Sequence, residues 1–369
     1  MFAADKRISI QTLLTCLLLE MGTLAAFPAV ASERTARLND PALSALDEIE
    51  AEGLDVIVAQ LNSSGSLRFW EFGELENDQL GPEETLVDLG SITKTVTAIA
   101  VLKLVEQGKI RLTDTLSIFW PETPPEKSQI SIHQLLTHTS GLPEDIGEDE
   151  EPLGRAEFVS RVLAEDLVDT PGASFNYSNA GYGVLAAIIE LRAMTSFENF
   201  LEAHLLRPNG LGPIGYGNAY RDELSMRTSD GDLISDRGHT IREASWGGHL
   251  PGWNLIGNGG LVSTPGAFLN FWRAVREERI VPGSFLESVL KPHIKEPERL
   301  QSSYGYGLFV RDIPLHGHTY GHDGGNDVFT AEWMELPQAE VIIFTAGLGE
   351  DAIDAMELIV EQEHLLDPP

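Results

Sequence analysis

The chain has 369 residues, with 57 acidic against 25 basic side chains, a formal net charge of −32 and 42% hydrophobic residues. That composition is globular, and so acidic a protein is repelled by nucleic-acid phosphates and anionic membrane surfaces, which excludes nucleic-acid binding as a leading function. The single cysteine, Cys16, excludes an intrachain disulfide framework and cysteine-based zinc sites.

At the N-terminus, Lys6 and Arg7 precede an apolar stretch from about Leu13 to Phe27, interrupted by Glu20, and Ala29-Val30-Ala31 follows as a small-x-small site. This three-part pattern predicts a signal peptide over residues 1–31 and a mature chain 32–369 exported to the periplasm or secreted. No later run reaches the ~18 apolar residues of a membrane span. Pro41–Ala51 reads as a short helix, and Leu54–Leu61 and Ser66–Phe72 as a hairpin around Asn62-Ser63-Ser64-Gly65. A strong helix runs from Ser91 to about Glu106 and stops at Gln107-Gly108. Helices follow over Ser131–Thr137, Arg155–Leu167, Asn179–Met194, Phe197–Leu206 and Thr264–Glu278, and an acidic loop spans Glu144–Glu151. Strands return at Tyr304–Val310, His316–His322, Val328–Glu335 and Glu340–Thr345, before a closing helix Asp351–His364.

Strands at both ends with helices between predict an α/β (α+β) fold. One sheet (about 42–90 plus 300–369) would be assembled from both termini, with a mainly helical part (about 91–299) inserted.

Chemistry concentrates in three places. Ser91-Ile92-Thr93-Lys94 opens a helix, so Lys94 at i+3 shares a face with the Ser91 hydroxyl, and an amine of depressed pKa can take a serine proton. The pattern is weak alone, because Ser288-Val289-Leu290-Lys291 also matches at what reads as an ordinary helix end. Tyr177-Ser178-Asn179 begins an apolar helix and supplies a proton-relaying phenol and an amide able to bind a carbonyl. A second match, Tyr216-Gly217-Asn218, lies in a Gly/Pro loop and reads as meaningless. His322-Asp323-Gly324-Gly325 ends a late strand, where glycines let the backbone approach a substrate and the Gly325 N–H can face an oxyanion.

In this order the three motifs resemble those of the penicillin-recognising serine hydrolases, in the branch of class C β-lactamases, D-alanyl-D-alanine carboxypeptidases, D-aminopeptidases and family VIII esterases. The segments His133–Pro143, Gly257–Thr264 and Tyr304–Leu308 are similar to that branch as well, and the likeness covers roughly 42–365. The resemblance implies a β-lactamase/transpeptidase-like fold: an antiparallel sheet flanked by the N- and C-terminal helices, an inserted all-α domain, and the site between them. It implies Ser91 as acylated nucleophile, Lys94 as its base and Tyr177 as proton relay. Asn179 and the His322-x-Gly324 strand would hold substrate, and the Ser91 and Gly325 amides would form the oxyanion hole; no metal or cofactor is implied.

One departure bears on the substrate. His322 stands where β-lactamases of this class carry lysine, and no Arg or Lys occurs between Gly324 and Gly347 to anchor a carboxylate, although Arg276 or Arg311 could reach. The expected substrates are therefore small-molecule esters first, then amide or D-amino-acid-containing compounds, then β-lactams. An intact Ser91, Lys94 and Tyr177 argues against a non-catalytic binder of peptidoglycan fragments. The rival reading is a histidine-rich metal site on one strand face at His316, His318 and His322, with exposed strand histidines as the plain alternative for the first two. Gly210–Gly215 matches G-x-G-x-x-G but contains proline and follows no strand, and no G-x-S-x-G elbow occurs. Trp246-Gly247-Gly248, Trp253 and Tyr306 are aromatics able to line an acyl pocket, but such residues more often only pack.

Overall fold

A computed structural model describes residues 44–75, 81–149, 151–216, 252–297, 302–325 and 329–361. The predicted export signal, Trp246–Gly248, Glu150 of the acidic run, Asn218 and the two ends of the predicted terminal helices lie outside the described residues.

The chain starts with α1 (Ser44–Glu52), β1 (Val56–Asn62) and β2 (Leu67–Glu71). β1 and β2 pair antiparallel, from Ile57 opposite Glu71 to Leu61 opposite Leu67. The turn closes because Asn62 Oδ1 accepts from the Ser66 amide at 2.9 Å and Gly65 adopts φ +84°. After β3 (Val87–Asp88) come the helices α2 (Thr93–Glu106), α3 (Leu116–Phe119), α4 (Ile132–Leu136), α5 (Arg155–Ala164), α6 (Asn179–Ala193) and α7 (Phe197–Leu201). β4 (Ile214–Gly215), β5 (Val262–Ser263), α8 (Pro265–Arg276) and α9 (Gly283–Leu290) lead back to the sheet. β6 (Ile294–Lys295), β7 (Ser302–Tyr304), β8 (Phe309–Ile313), β9 (Gly317–Gly325), β10 (Phe329–Leu336), β11 (Val341–Leu348) and α10 (Asp351–Val360) complete it.

The main sheet has the order β2-β1-β11-β10-β9-β8-β7-β6, antiparallel throughout. As the pattern predicts, it joins the two chain ends: β1 pairs with β11 from Val56–Gly347 to Asn62–Val341. Val341-Ile342-Ile343-Phe344 is continuously apolar because β11 is covered on both faces. On one face lie α1 and α10, which bury Ile49, Ala355, Met356 and Ile359. On the other, α8 sets Phe268 against Trp333 and Phe344, each 5.5 Å between ring centroids, and Trp272 4.6 Å from Trp333. Trp272 Nε1–H donates to Glu335 Oε2 at 2.8 Å, so the buried indole is satisfied. α2 is buried almost all round, from Thr93 to Leu102 and again at Leu104, and packs against the equally apolar α6. Helices without a polar face belong at the centre of a domain, and this one carries Lys94.

Three local expectations change. The strand expected over Tyr304–Val310 is split into β7 and β8 by a turn in which Gly305 N–H donates to Leu308 O at 2.8 Å. That turn presses on α2: Thr95 Oγ1 donates to Gly307 O at 2.6 Å, and a Cβ on Gly307, at φ +72°, would come within 2.5 Å of Lys94 O. The helix expected from Ser91 begins with a 3-10 turn, Gly90–Ile92, before α2. A small sheet, β3-β5-β4, also forms, whose two-residue strands are too short to show alternation.

Candidate active site

Ser91 sits on the 3-10 turn where β3 meets α2. Asp88 Oδ1 accepts from the Gly90 amide at 2.8 Å and Leu89 N–H donates to Leu261 O at 2.8 Å, which fixes the turn from both sides. Gly90 has φ +44° because β9 lies against it: a Cβ there would meet Gly325 N at 2.5 Å. A Cβ on Gly324 would meet Leu89 O at 2.4 Å and Ser91 N at 2.5 Å. The amides of Ser91 and Gly325 are thereby brought to neighbouring positions where β9 meets the turn.

Lys94 is fully buried, with Nζ 2.9 Å from Ser91 Oγ, 2.8 Å from Asn258 O and 4.7 Å from the Tyr177 ring centroid. Burial pushes its ammonium down to about 7, opposed by the charges of Asp145, Asp323, Glu144 and Asp149. Tyr177 keeps an exposed edge, yet desolvation holds its phenol well above 10, with a hydrogen bond to Ser91 working the other way. Asn179, the first residue of α6, donates from Nδ2 to Asp145 Oδ1 at 2.8 Å. Ser178 caps α6 by accepting from the Gly181 amide at 3.0 Å, and its Oγ–H donates to Pro143 O at 2.6 Å. With Ala180 N–H donating to Glu144 O at 2.9 Å, these bonds tie the acidic loop to the Tyr-Ser-Asn motif.

His322 is 1% exposed. Nδ1 lies 2.5 Å from Asp323 O and Nε2 3.0 Å from the Tyr304 hydroxyl. A carbonyl only accepts, so Nδ1 carries the proton and Nε2 accepts from Tyr304. Burial lowers its pKa to about 4, so the ring is neutral at pH 7. On the opposite face of β9, Asp323 pairs with Arg311 at 3.1 Å, and Arg311 also reaches Glu332 at 2.9 Å. Arg276 is paired with Glu335 at 2.9 Å. Both arginines considered as carboxylate anchors are thus held by carboxylates of the protein itself.

The sequence profile of the β-lactamase family matches residues 44–351. The chain belongs to the β-lactamase family of serine hydrolases. It is similar to a penicillin-binding protein of Bacillus subtilis (strain 168), 24% identical over 317 residues that cover 80% of this chain and 68% of that one. It is also similar to esterase EstB of Burkholderia gladioli, 26% identical, covering 84% of this chain and 86% of that one. Among solved structures, a penicillin-binding protein from Bacillus halodurans superposes with TM-score 0.70 at 22% identity, covering 86% of this chain and 99% of that one. The family's mixed fold, with an antiparallel sheet and helices, is the one described above.

All three motifs of this β-lactamase-family chain converge on Ser91. The decoys do not: Ser288 is tied to Ser284 O at 3.3 Å on the surface of α9, and Lys291 is exposed. Tyr216, read as meaningless, has a structural task. Its buried hydroxyl accepts from the Gly257 amide at 2.7 Å and so holds the loop whose Asn258 carbonyl accepts from Lys94. His316, expected to be exposed, is buried with Nε2 2.9 Å from Val360 O at the end of α10; His318 is exposed beside Asp312. Among the described residues no three His, Cys, Asp or Glu side chains converge as metal ligands. Asn258 and His138 were not singled out, although both lie in segments that carry the family resemblance. Their contacts cross long stretches of chain, Asn258 to Lys94 over 164 residues, which no local pattern reveals.

Proposed function

We propose that the chain is an acyl hydrolase in which Ser91 is the nucleophile and Lys94 its general base. The observation that carries this is the buried amine of Lys94, 2.9 Å from Ser91 Oγ and poised near pH 7. Tyr177 is the competing base, but a phenol held well above 10 stays protonated at neutral pH, so it is suited to donate rather than accept. In the proposed sequence the Ser91 proton passes to Lys94 Nζ as Oγ attacks the carbonyl carbon. The amides of Ser91 and Gly325 face the resulting oxyanion. Tyr177 gives its proton to the leaving oxygen or nitrogen and regains one from Lys94, which leaves an acyl-Ser91. Attack by water, deprotonated by the same pair, then releases the carboxylic acid and regenerates Ser91.

Esters are the favoured substrates, amides or peptides bearing D-amino acids next, β-lactams last. Three features support this order: the neutral His322, the two arginines already paired, and the carboxylate of Asp145 on Asn179. All disfavour a substrate carboxylate. Turnover of a short-chain p-nitrophenyl ester, a D-alanine p-nitroanilide and a chromogenic cephalosporin, each with wild type and Ser91→Ala, tests the order. Ester cleavage that is fastest and lost in the variant is expected; cephalosporin turnover above that of the ester would reverse it. Asp145→Asn should raise kcat/KM on the carboxylate-bearing cephalosporin, relative to the neutral ester, by about 2–5-fold at low salt, and the gain should shrink as salt screens the charge. An unchanged ratio would remove Asp145 from substrate selection.

The base assignment also fixes a pH dependence. Protonated Lys94 cannot accept, so kcat/KM on the neutral ester should fall about tenfold per pH unit below about pH 7. His322, near 4, stays neutral through that limb, and burial pushes His138 well below 6.5, away from the pH 7 at which the limb begins. A profile flat from pH 5 to 8 would contradict Lys94 as base.

A further inference from the structure

We infer that His138 is a positioning residue for Tyr177: its ring and its Nδ1 together set where the phenol stands over Ser91 and Lys94. The inference rests on the proposed role of Tyr177 and adds a residue to which no part of that reading assigns a task.

His138 is fully buried at the end of α4. Its ring stacks on Tyr177 with centroids 4.4 Å apart and planes 29° apart. Nδ1 accepts from the Ser178 amide at 3.0 Å, and the His138 carbonyl accepts from the Asn176 amide at 2.8 Å. One residue thus grips the backbone on both sides of Tyr177 and the face of its ring. The imidazole is packed in turn by Tyr304 at 4.7 Å and Tyr182 at 5.0 Å, and the Tyr182 hydroxyl donates to Leu136 O at 2.9 Å. The same Tyr304 donates to His322, so the grip on Tyr177 is continuous with the strand that ends in Gly324 and Gly325.

The position is costly in two ways. His138 has φ +55°, a left-handed conformation that asparagine tolerates better. Because Nδ1 accepts, the proton sits on Nε2, and Nε2 has no hydrogen-bond partner among the described residues. An asparagine would relieve the backbone and, with Oδ1 facing the Ser178 amide, keep an acceptor. A requirement for the ring against Tyr177 accounts for a histidine where packing alone would favour another residue. Burial first, then the charges of Lys94 and His322, keep its pKa well below 6.5, so Nδ1 remains an acceptor at neutral pH.

The test is a double-mutant cycle between His138→Asn and Tyr177→Phe on the p-nitrophenyl ester, with turnover expressed per fluorophosphonate-titrated site, which discounts misfolded protein. His138→Phe, which keeps a ring and loses the acceptor, serves as the second variant. His138→Asn is expected to lower kcat about 10–100-fold, with KM changed less than threefold, and to cost under threefold more in the Tyr177→Phe background. His138→Phe should lose at least tenfold in the same way. Wild-type kcat per titrated site in His138→Asn, or an equal loss with and without the tyrosine hydroxyl, would overturn the positioning role. A Tyr177→Phe enzyme that turns over normally would instead remove the proposed role of Tyr177, and the two failures are read from different corners of the cycle.

Discussion

Ser91→Ala is expected to lower kcat on the p-nitrophenyl ester by about 10⁴-fold or more, because it removes the hydroxyl that the buried amine holds at 2.9 Å and that is to become acylated. Lys94→Ala should cost a similar factor, and the double variant little more than either alone, since nucleophile and base act as one unit. Lys94→Arg separates a base from a mere cation: guanidinium does not deprotonate near neutral pH, so it should be as inactive as alanine. The amine is surrounded so that this distinction matters. It is fully buried, points at Ser91 Oγ and Asn258 O, and is brought down to about 7 by desolvation. Ser91→Ala removes a single hydroxyl, so its melting temperature should stay near that of wild type. Ester turnover in Lys94→Arg within tenfold of wild type would end the base assignment.

The second large effect is expected at a glycine. In Gly324→Ala the new Cβ would lie 2.4 Å from Leu89 O and 2.5 Å from Ser91 N, and both neighbours are backbone atoms that cannot swing away. Either β9 or the 3-10 turn must move, and each carries one of the two amides proposed to face the oxyanion. Losing one such donor costs about 10²–10³-fold in kcat elsewhere, and a loss of that order is expected here. Gly108→Ala is the control. Gly108 also has positive φ, at +67°, but its Cβ would meet nothing within 4 Å. It should lose about 1 kcal/mol of stability and leave kcat untouched. Wild-type kcat in Gly324→Ala would show that the β9 edge does not take part.

What could be read before the structure depended on the range of the interaction. The β1–β2 hairpin was legible because Asn62 to Gly65 is a local turn signal between β-rich runs, and β11 because a strand covered on both faces is apolar throughout. Lys94 beside Ser91 follows from helical spacing alone. The split of β7 from β8 was not legible, since Gly307 is needed for its contact with Lys94 O, an approach set by tertiary packing. His322 shows the limit at the site itself. Its motif was visible, and so was its place where lysine is usual. The structure adds its neutrality at pH 7, which comes from burial, with both ring nitrogens engaged by Tyr304 and Asp323 O. The acidic run Glu144–Glu151 was legible only as a loop; the bonds of Asp145 to Asn179 and of Glu144 O to the Ala180 amide, which set it beside the Tyr-Ser-Asn motif, are tertiary. Tyr216 and Asn258 were missed for one reason: both act on Lys94 through the Gly257–Asn258 loop, which is remote in sequence.

The most direct test of the Ser91 acyl-enzyme is covalent. Wild-type protein and Ser91→Ala are treated with a small fluorophosphonate at pH 8, and intact mass and peptide mapping are recorded. One adduct per chain, on the peptide that contains Ser91 and absent from Ser91→Ala, is the predicted result. No adduct on folded wild type, or an adduct that persists in Ser91→Ala, would contradict it.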